Sequence, residues 1–177
     1  MYLKSLEGSR LRIGSYPQFI YNASGGGGEG TIIQKINDNS YYVNFKTNEF
    51  SIPSLSWRST KILNIPLPPG IEIKMSLEKL DGTIDQDTKQ ISLDFESKFN
   101  LSILTIFKFP SLNVKTTLST GEIITSLYEE KGLPLQENGE TTLVGKAIIP
   151  PTTNKLLNIF LDLPNEALAI LKCEIEF

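Results

Sequence analysis

Apolar and polar residues alternate with a period of two over most of the chain, and this pattern limits the fold more than any other feature. Successive side chains of a strand point to opposite faces, so strict alternation gives one apolar and one polar face. Ile71, Ile73, Met75 and Leu77 alternate with Glu72, Lys74, Ser76 and Glu78, and Asp81-Gly82 supplies a turn signal after them. Ile91, Leu93 and Phe95 alternate with Ser92, Asp94 and Glu96, and Phe99, Leu101 and Ile103 continue the inward set. Leu112, Val114, Thr116 and Leu118 form a further strand ended by Ser119-Thr120-Gly121, and Ile123 to Tyr128 and Thr141 to Ile149 follow. Thr31–Ile36 and Ser40–Phe45, joined by Asn37-Asp38-Asn39, read as a hairpin whose linker tolerates left-handed backbone. At the end, Ala169, Leu171, Cys173, Ile175 and Phe177 alternate with Ile170, Lys172, Glu174 and Glu176.

One segment has helical spacing. Thr152-Thr153-Asn154 can cap a short helix with Leu156, Leu157, Phe160 and Leu161 on one face, ended by Pro164; Asn165–Leu168 adds a further turn. Eight to ten mostly antiparallel strands with one short helix near the C-terminus predict an all-β fold, a barrel or curved two-sheet sandwich. The helix is expected to cover an open edge or end. A chain of 177 residues suits a single domain, 1–177, and the proline-rich segment 65–70 marks the one candidate subdivision.

The chain has no histidine and one cysteine, Cys173. Ser-His-Asp and Cys-His catalysis, His-ligated metal sites and internal disulfides are thereby excluded within it. No apolar run approaches the ~20 residues of a membrane-spanning helix, so no integral membrane segment is expected. Asn22-Ala23-Ser24 and Asn100-Leu101-Ser102 match the glycosylation sequon, a short pattern that also arises by chance.

Charge is unevenly placed. Residues 1–62 hold seven basic and four acidic side chains, and residues 63–177 hold ten basic and sixteen acidic. All three arginines and nine of the sixteen aromatics lie in the first part, so Arg10, Arg12, Trp57 and Arg58 are candidates for an interaction surface. The bland reading is that strand aromatics face a core while basic stems cover its rim. A pI near 5.1 argues against a nucleic-acid partner.

Ser24-Gly25-Gly26-Gly27-Gly28-Glu29-Gly30 contains G-x-G-x-x-G through Gly25, Gly27 and Gly30. Side-chain-free amides can approach a phosphate, yet Thr31-Ile32-Ile33 continues as a strand where a dinucleotide site needs a helix. The segment instead reads as a flexible loop, able to gate a ligand site with Glu29 beside it. Asp81, Asp85 and Asp87 are oxygen ligands at short spacing, but the pattern is not that of an EF-hand, and hairpin turns collect Asp for turn chemistry. Asp94, Glu96 and Glu122 are the carboxylates available for acid–base pairing, with Glu29 the first to test; Asp94 and Glu96 belong to an outer face, and Cys173 falls in the inward set as a small core residue. No metal site, catalytic set or cofactor is expected.

Gly132-Leu133-Pro134-Leu135, Asn138-Gly139 and Thr142–Ala147, with Leu157–Leu161 and Leu163–Leu168, resemble part of uncharacterised proteins from cyanobacteria. The resemblance spans about forty-five residues of the C-terminal third. It implies a bacterial, cytoplasmic setting and no assigned activity. The expectation is a non-enzymatic β-protein holding a small apolar ligand, a lipid or pigment, in its interior. The alternative is a protein–protein interaction or assembly factor that uses the arginine and aromatic surface.

Overall fold

A computed structural model describes residues 1–125 and 127–177. The fold is all-β, 60% strand and 4% helix. The early strands are β1 (Tyr2–Ser5), β2 (Ser9–Ile13), β3 (Phe19–Tyr21), β4 (Gly27–Asn37) and β5 (Ser40–Phe45). Three short ones follow, β6 (Leu55–Ser56), β7 (Thr60–Ile62) and β8 (Ile65–Pro66), before the two longest, β9 (Ile71–Asp85) and β10 (Gln90–Ile103). Next come β11 (Phe107–Lys108), β12 (Leu112–Ser119), β13 (Glu122–Ile124), β14 (Glu129–Lys131) and β15 (Glu140–Ile149). The helix α1 (Lys155–Leu161) precedes the last strand, β16 (Asn165–Glu176). The strand count exceeds the expected eight to ten because several strands are only two or three residues long.

Eight strands form a ring in the order β1-β4-β5-β9-β10-β12-β15-β16, and β16 pairs back onto β1 to close it. The edge of β16 that meets β1 is shared: residues 173–176 pair with β1, and residues 167–170 pair with β2. The chain turns away from β16 between these two pairings, and β2, β3, β7 and β8 continue as a wing off the ring. Strands from both sides of the proline segment are direct neighbours, β5 with β9, and Ile65 and Pro66 themselves form β8. That segment therefore separates no two sheets.

The ring is weakest at one seam. β12 and β15 share a single backbone register position, Ser119 with Val144. The hydroxyl of Thr116 donates to the Lys146 carbonyl at 2.7 Å, continuing the contact where the ladder stops. Beyond it Leu112 and Val114 face Ala147 and Ile149 across apolar contacts, and Leu157 of α1 joins them. The helix starts as expected, with the Asn154 side chain accepting from the Leu157 amide at 2.9 Å. Its faces differ from expectation: Leu157 is buried and Leu161 half-buried, whereas Leu156 and Phe160 are exposed. Asn165–Leu168 is not a further helical turn; it begins β16 in register with Ile149–Lys146.

Three other expectations change. Asp81-Gly82 is no turn, because β9 runs through it to Asp85. The parity of β9 reverses at a bulge where Lys79 and Leu77 face Glu96 and Ser97, leaving Glu78 as the extra residue. Ile71–Leu77 point inward on odd positions, but Leu80, Gly82 and Ile84 are the buried set beyond the bulge. The reversal looks like a strand end in the sequence. The turn lies at Gln86–Lys89, where the Asp85 carboxylate accepts from the amides of Asp87 and Thr88, both at 2.9 Å. Those bonds hold its pKa below the ordinary value, and the carboxylate serves turn chemistry. In β16, Phe177 beyond the strand is exposed, while Ile170, expected on the outward face, is buried together with Leu168 and Val144 under Tyr128. The covering hairpin is β13–β14; the expected strand Ile123–Tyr128 breaks between them, and its Ser126 lies outside the described residues.

Candidate functional site

Among the described residues, three of the four apolar clusters meet imperfectly in the interior. The largest packs Leu3, Val43, Phe45, Ile84, Leu93 and Leu143 inside the ring. The second lies at the β12–β15 seam under α1, and the third joins Tyr21, Ala23, Leu55 and Leu67 where the wing meets β9. Where they converge there is a cavity of about 150 Å³. Leu80, Leu93 and Leu118 wall it from the first cluster, Leu112, Val114 and Ile149 from the second, and Leu55, Ile73 and Met75 from the third.

The space exists because one wall is made of small side chains. Gly145 is in register with Ala169, and Ala147 with Ala167, on the inner faces of β15 and β16. All four line the cavity. Larger inner residues at these positions would meet the opposite wall and fill the interior, as in most rings of eight strands. Three hydroxyls that reach the lining, those of Ser9, Thr116 and Tyr21, are already engaged. Ser9 Oγ donates to the Leu6 carbonyl and accepts from the Lys172 amide, and Thr116 is bound to Lys146. The Tyr21 hydroxyl donates to the Pro53 carbonyl, and burial pushes its pKa up. The cavity wall is thus largely hydrocarbon, although Ser5, Arg10 and Arg12 also line it and the Arg12 Nε is buried without a hydrogen-bond partner among the described residues.

Of the candidate residues from the sequence, Arg10 and Arg12 are among those lining the cavity, and the others lie elsewhere. Gly25, Gly27, Gly30 and Glu29 do not line the cavity, and the glycine segment from Gly27 onward is strand rather than a gating loop. Gly27 sits between β1 and Ser51 and exchanges two 2.8 Å backbone bonds with Ser51. A Cβ on it would lie 2.1 Å from the Leu3 carbonyl oxygen, at a φ of 133°. Rings of Phe50 and Phe45 lie where side chains of Gly28 and Gly30 would be, edge to face at 6.0 Å. The glycines therefore admit close strand and aromatic packing. Glu29 is exposed and pairs with Lys46 at 3.6 Å.

Arg10 and Arg12 on β2 hold the β13–β14 hairpin: Arg10 pairs with Glu130 at 3.6 Å, and Arg12 lies 5.2 Å from the Tyr128 ring centre. The Tyr128 hydroxyl in turn donates to the Gly14 carbonyl. Trp57 and Arg58 occupy the turn between β6 and β7, stacked on each other at 5.1 Å. Two of these four residues thus bind the chain's own hairpin, and the other two contact each other. The acids of the outer face are also paired. Lys79 bridges Asp81 at 3.3 Å and Asp94 at 3.4 Å, and Lys115 meets Glu96 at 2.7 Å. The Asp81 contact raises the Tyr42 pKa through their hydrogen bond.

Cys173 is fully buried in the first cluster, and burial pushes its thiol up to about 12. The native thiol stays protonated where an unfolded one, with an ordinary value of 9.0, ionises. Its contribution to stability is therefore complete below about pH 9 and is lost as pH rises toward 12, by up to about 1.4 kcal/mol per pH unit. Urea midpoints are expected to fall between about pH 8 and pH 10, and less steeply in Cys173→Ala. Equal slopes in the two proteins would contradict the burial argument.

No family model, curated protein or solved structure matches the chain.

Proposed function

We propose that the protein is a non-enzymatic binder of a small apolar ligand, held in the cavity between three of its apolar clusters. The observation that carries this reading is an empty volume of about 150 Å³ walled largely by hydrocarbon. Unfilled apolar volume costs about 24 cal/mol per Å³, which amounts to roughly 3–4 kcal/mol at this site. A ligand that restores the missing contacts recovers part of that cost. The paired outer-face acids and the protonated, buried Cys173 favour binding over chemistry.

Volume narrows the ligand class. Apolar cavities of this size accept benzene-like molecules, so one unsubstituted ring or a short branched chain fits. An entire lipid or pigment does not fit unless the ring opens. A benzene-like ring carries no polar group to engage the arginines at the lining, so its affinity is expected to be modest, a Kd on the order of 0.1–1 mM. Titration of the protein with benzene or toluene, followed by the melting temperature and methyl NMR shifts, tests the reading. The expected result is a saturable rise in melting temperature, with shifts confined to methyls lining the cavity, such as those of Leu93, Leu112, Val114, Leu118 and Ile149. A linear, unsaturable response or shifts scattered over the surface would refute it.

A further inference from the structure

We infer that the end of the ring carrying α1 docks on the surface of an anionic phospholipid bilayer. This inference does not depend on the cavity. Among the described residues, eleven large apolar side chains are more than 55% exposed, and eight of them lie at this one end. Leu156, Ile159 and Phe160 project from α1. Leu104, Ile106 and Phe107 form the tip after β10, and Leu63 and Ile65 flank the turn between β7 and β8.

Direct contacts bring these elements together. The Tyr16 ring lies 5.9 Å from that of Phe160, the Leu104 amide donates to the Gly70 carbonyl at 2.7 Å, and Phe109 packs in the cluster that includes Leu157 and Leu161. The register agrees, since Ile71, Ile103, Leu112, Ile149, Asn165 and Ile13 all terminate their strands toward this end.

Charge identifies the occupant. Segments 14–18, 61–70, 104–111 and 150–164, which build this end, hold Lys61, Lys108 and Lys155 against Asp162 alone, a net +2. The rest of the chain then carries −5 of the total −3. None of these four charges joins the eleven ion pairs among the described residues. Apolar tips rimmed by unpaired lysines match an interface in which hydrocarbon enters the headgroup layer and anionic lipids meet the cations. The acidic remainder is repelled from the same surface, which orients the molecule.

Two backbone positions support this. Leu63 and Leu104 have φ of 50° and 51°, a left-handed conformation that glycine or asparagine adopts far more readily than leucine. Both leucines are exposed. Local geometry disfavours leucine at both positions, and although the Leu104 side chain touches Gly70, both leucines leave most of their surface in solvent, where a bilayer would receive it.

The test is flotation of the full chain with vesicles of phosphatidylcholine alone and with about 30% phosphatidylglycerol. Binding is expected on the anionic vesicles and to be roughly tenfold weaker on the neutral ones. Ile106→Glu with Ile159→Glu should reduce binding by a further tenfold or more, about the effect of placing charge at an inserting position. Leu63→Asn with Leu104→Asn keeps the turns in a permitted conformation; it should melt no lower than the parent and bind vesicles less. No flotation with anionic vesicles would overturn the inference. So would binding unchanged in the asparagine pair, or a self-association that the glutamate pair abolishes while vesicles are ignored.

Discussion

Gly82→Ala is expected to destabilise the protein by about 4 kcal/mol, summing a strained left-handed backbone with a clash in a packed sheet. Gly82 lies in β9 between β5 and β10, in register with Val43 on one side and Leu93 on the other. Its φ is 153°, and a Cβ there would sit 2.1 Å from the Ser92 carbonyl oxygen and 2.9 Å from the Leu93 Cα. Both obstacles are backbone, so relief requires moving a neighbouring strand at the centre of the ring. A loss of this size is a large part of the ~5–15 kcal/mol that holds a typical domain together, and should lower the melting temperature by on the order of 10 °C. Two controls separate this cause from a general intolerance of glycine replacement. Gly25→Ala places its methyl in open space at a φ of 87° and should cost only about 1 kcal/mol. Gly121→Ala meets only the movable Ser119 hydroxyl at 3.2 Å and should lie within about 0.5 kcal/mol of the parent. Thermal and urea melts of the three variants check the ranking. Equal effects at Gly82 and Gly25 would contradict the clash.

Ala169→Leu is expected to abolish uptake of benzene or toluene while leaving the protein nearly as stable as before. The residue faces Gly145 across β15–β16, on the wall where small side chains leave the interior open. Three added carbons bring about 2 kcal/mol of transfer free energy, at ~0.8 kcal/mol each. Overpacking usually costs about 1–3 kcal/mol, so the two effects nearly cancel at a site that already contains space. Ligand affinity has no such compensation, because the leucine occupies the volume the ligand needs. The ligand-induced rise in melting temperature should disappear. A variant that unfolds, or that still responds to benzene, would place the binding volume elsewhere.

Much of the architecture was legible wherever one face of a strand is buried and the other is solvated. Val43 and Phe45, Leu112, Val114 and Leu118, and alternate residues from Thr141 to Ile149 are buried as their spacing predicts. Alternation failed where the physical premise failed. In β16 the first half is covered on both sides, because β13–β14 lies over Leu168 and Ile170, and no local pattern announces a distant hairpin. In β9 a single bulged residue exchanged the two faces. The glycine segment lacked the side chains that mark a strand, and its pairing came from β1 and Ser51 outside it. The cavity was hidden for a different reason. Gly145, Ala147, Ala167 and Ala169 occupy ordinary inward positions, and a polarity pattern counts alanine and leucine alike although their volumes decide whether the interior is full.

The shared edge of β16 has a consequence for the order in which the molecule can assemble. Tyr2 is in register with Glu176, Ser5 with Cys173 and Ile13 with Ala167, so the last strand joins β15 to two strands from the opposite end of the chain. Contacts of such long sequence separation carry the greatest loop-closure entropy and form slowly. Until β16 arrives, β15 and β1 expose unpaired backbone edges, the wing is held to the ring only through β6 and the apolar contacts with β9, and one wall of the cavity is missing. Ring closure, pairing of β2 onto the ring and completion of the cavity wall thus all await the same strand. A chain halted before it would present open strand edges, the features most prone to intermolecular pairing.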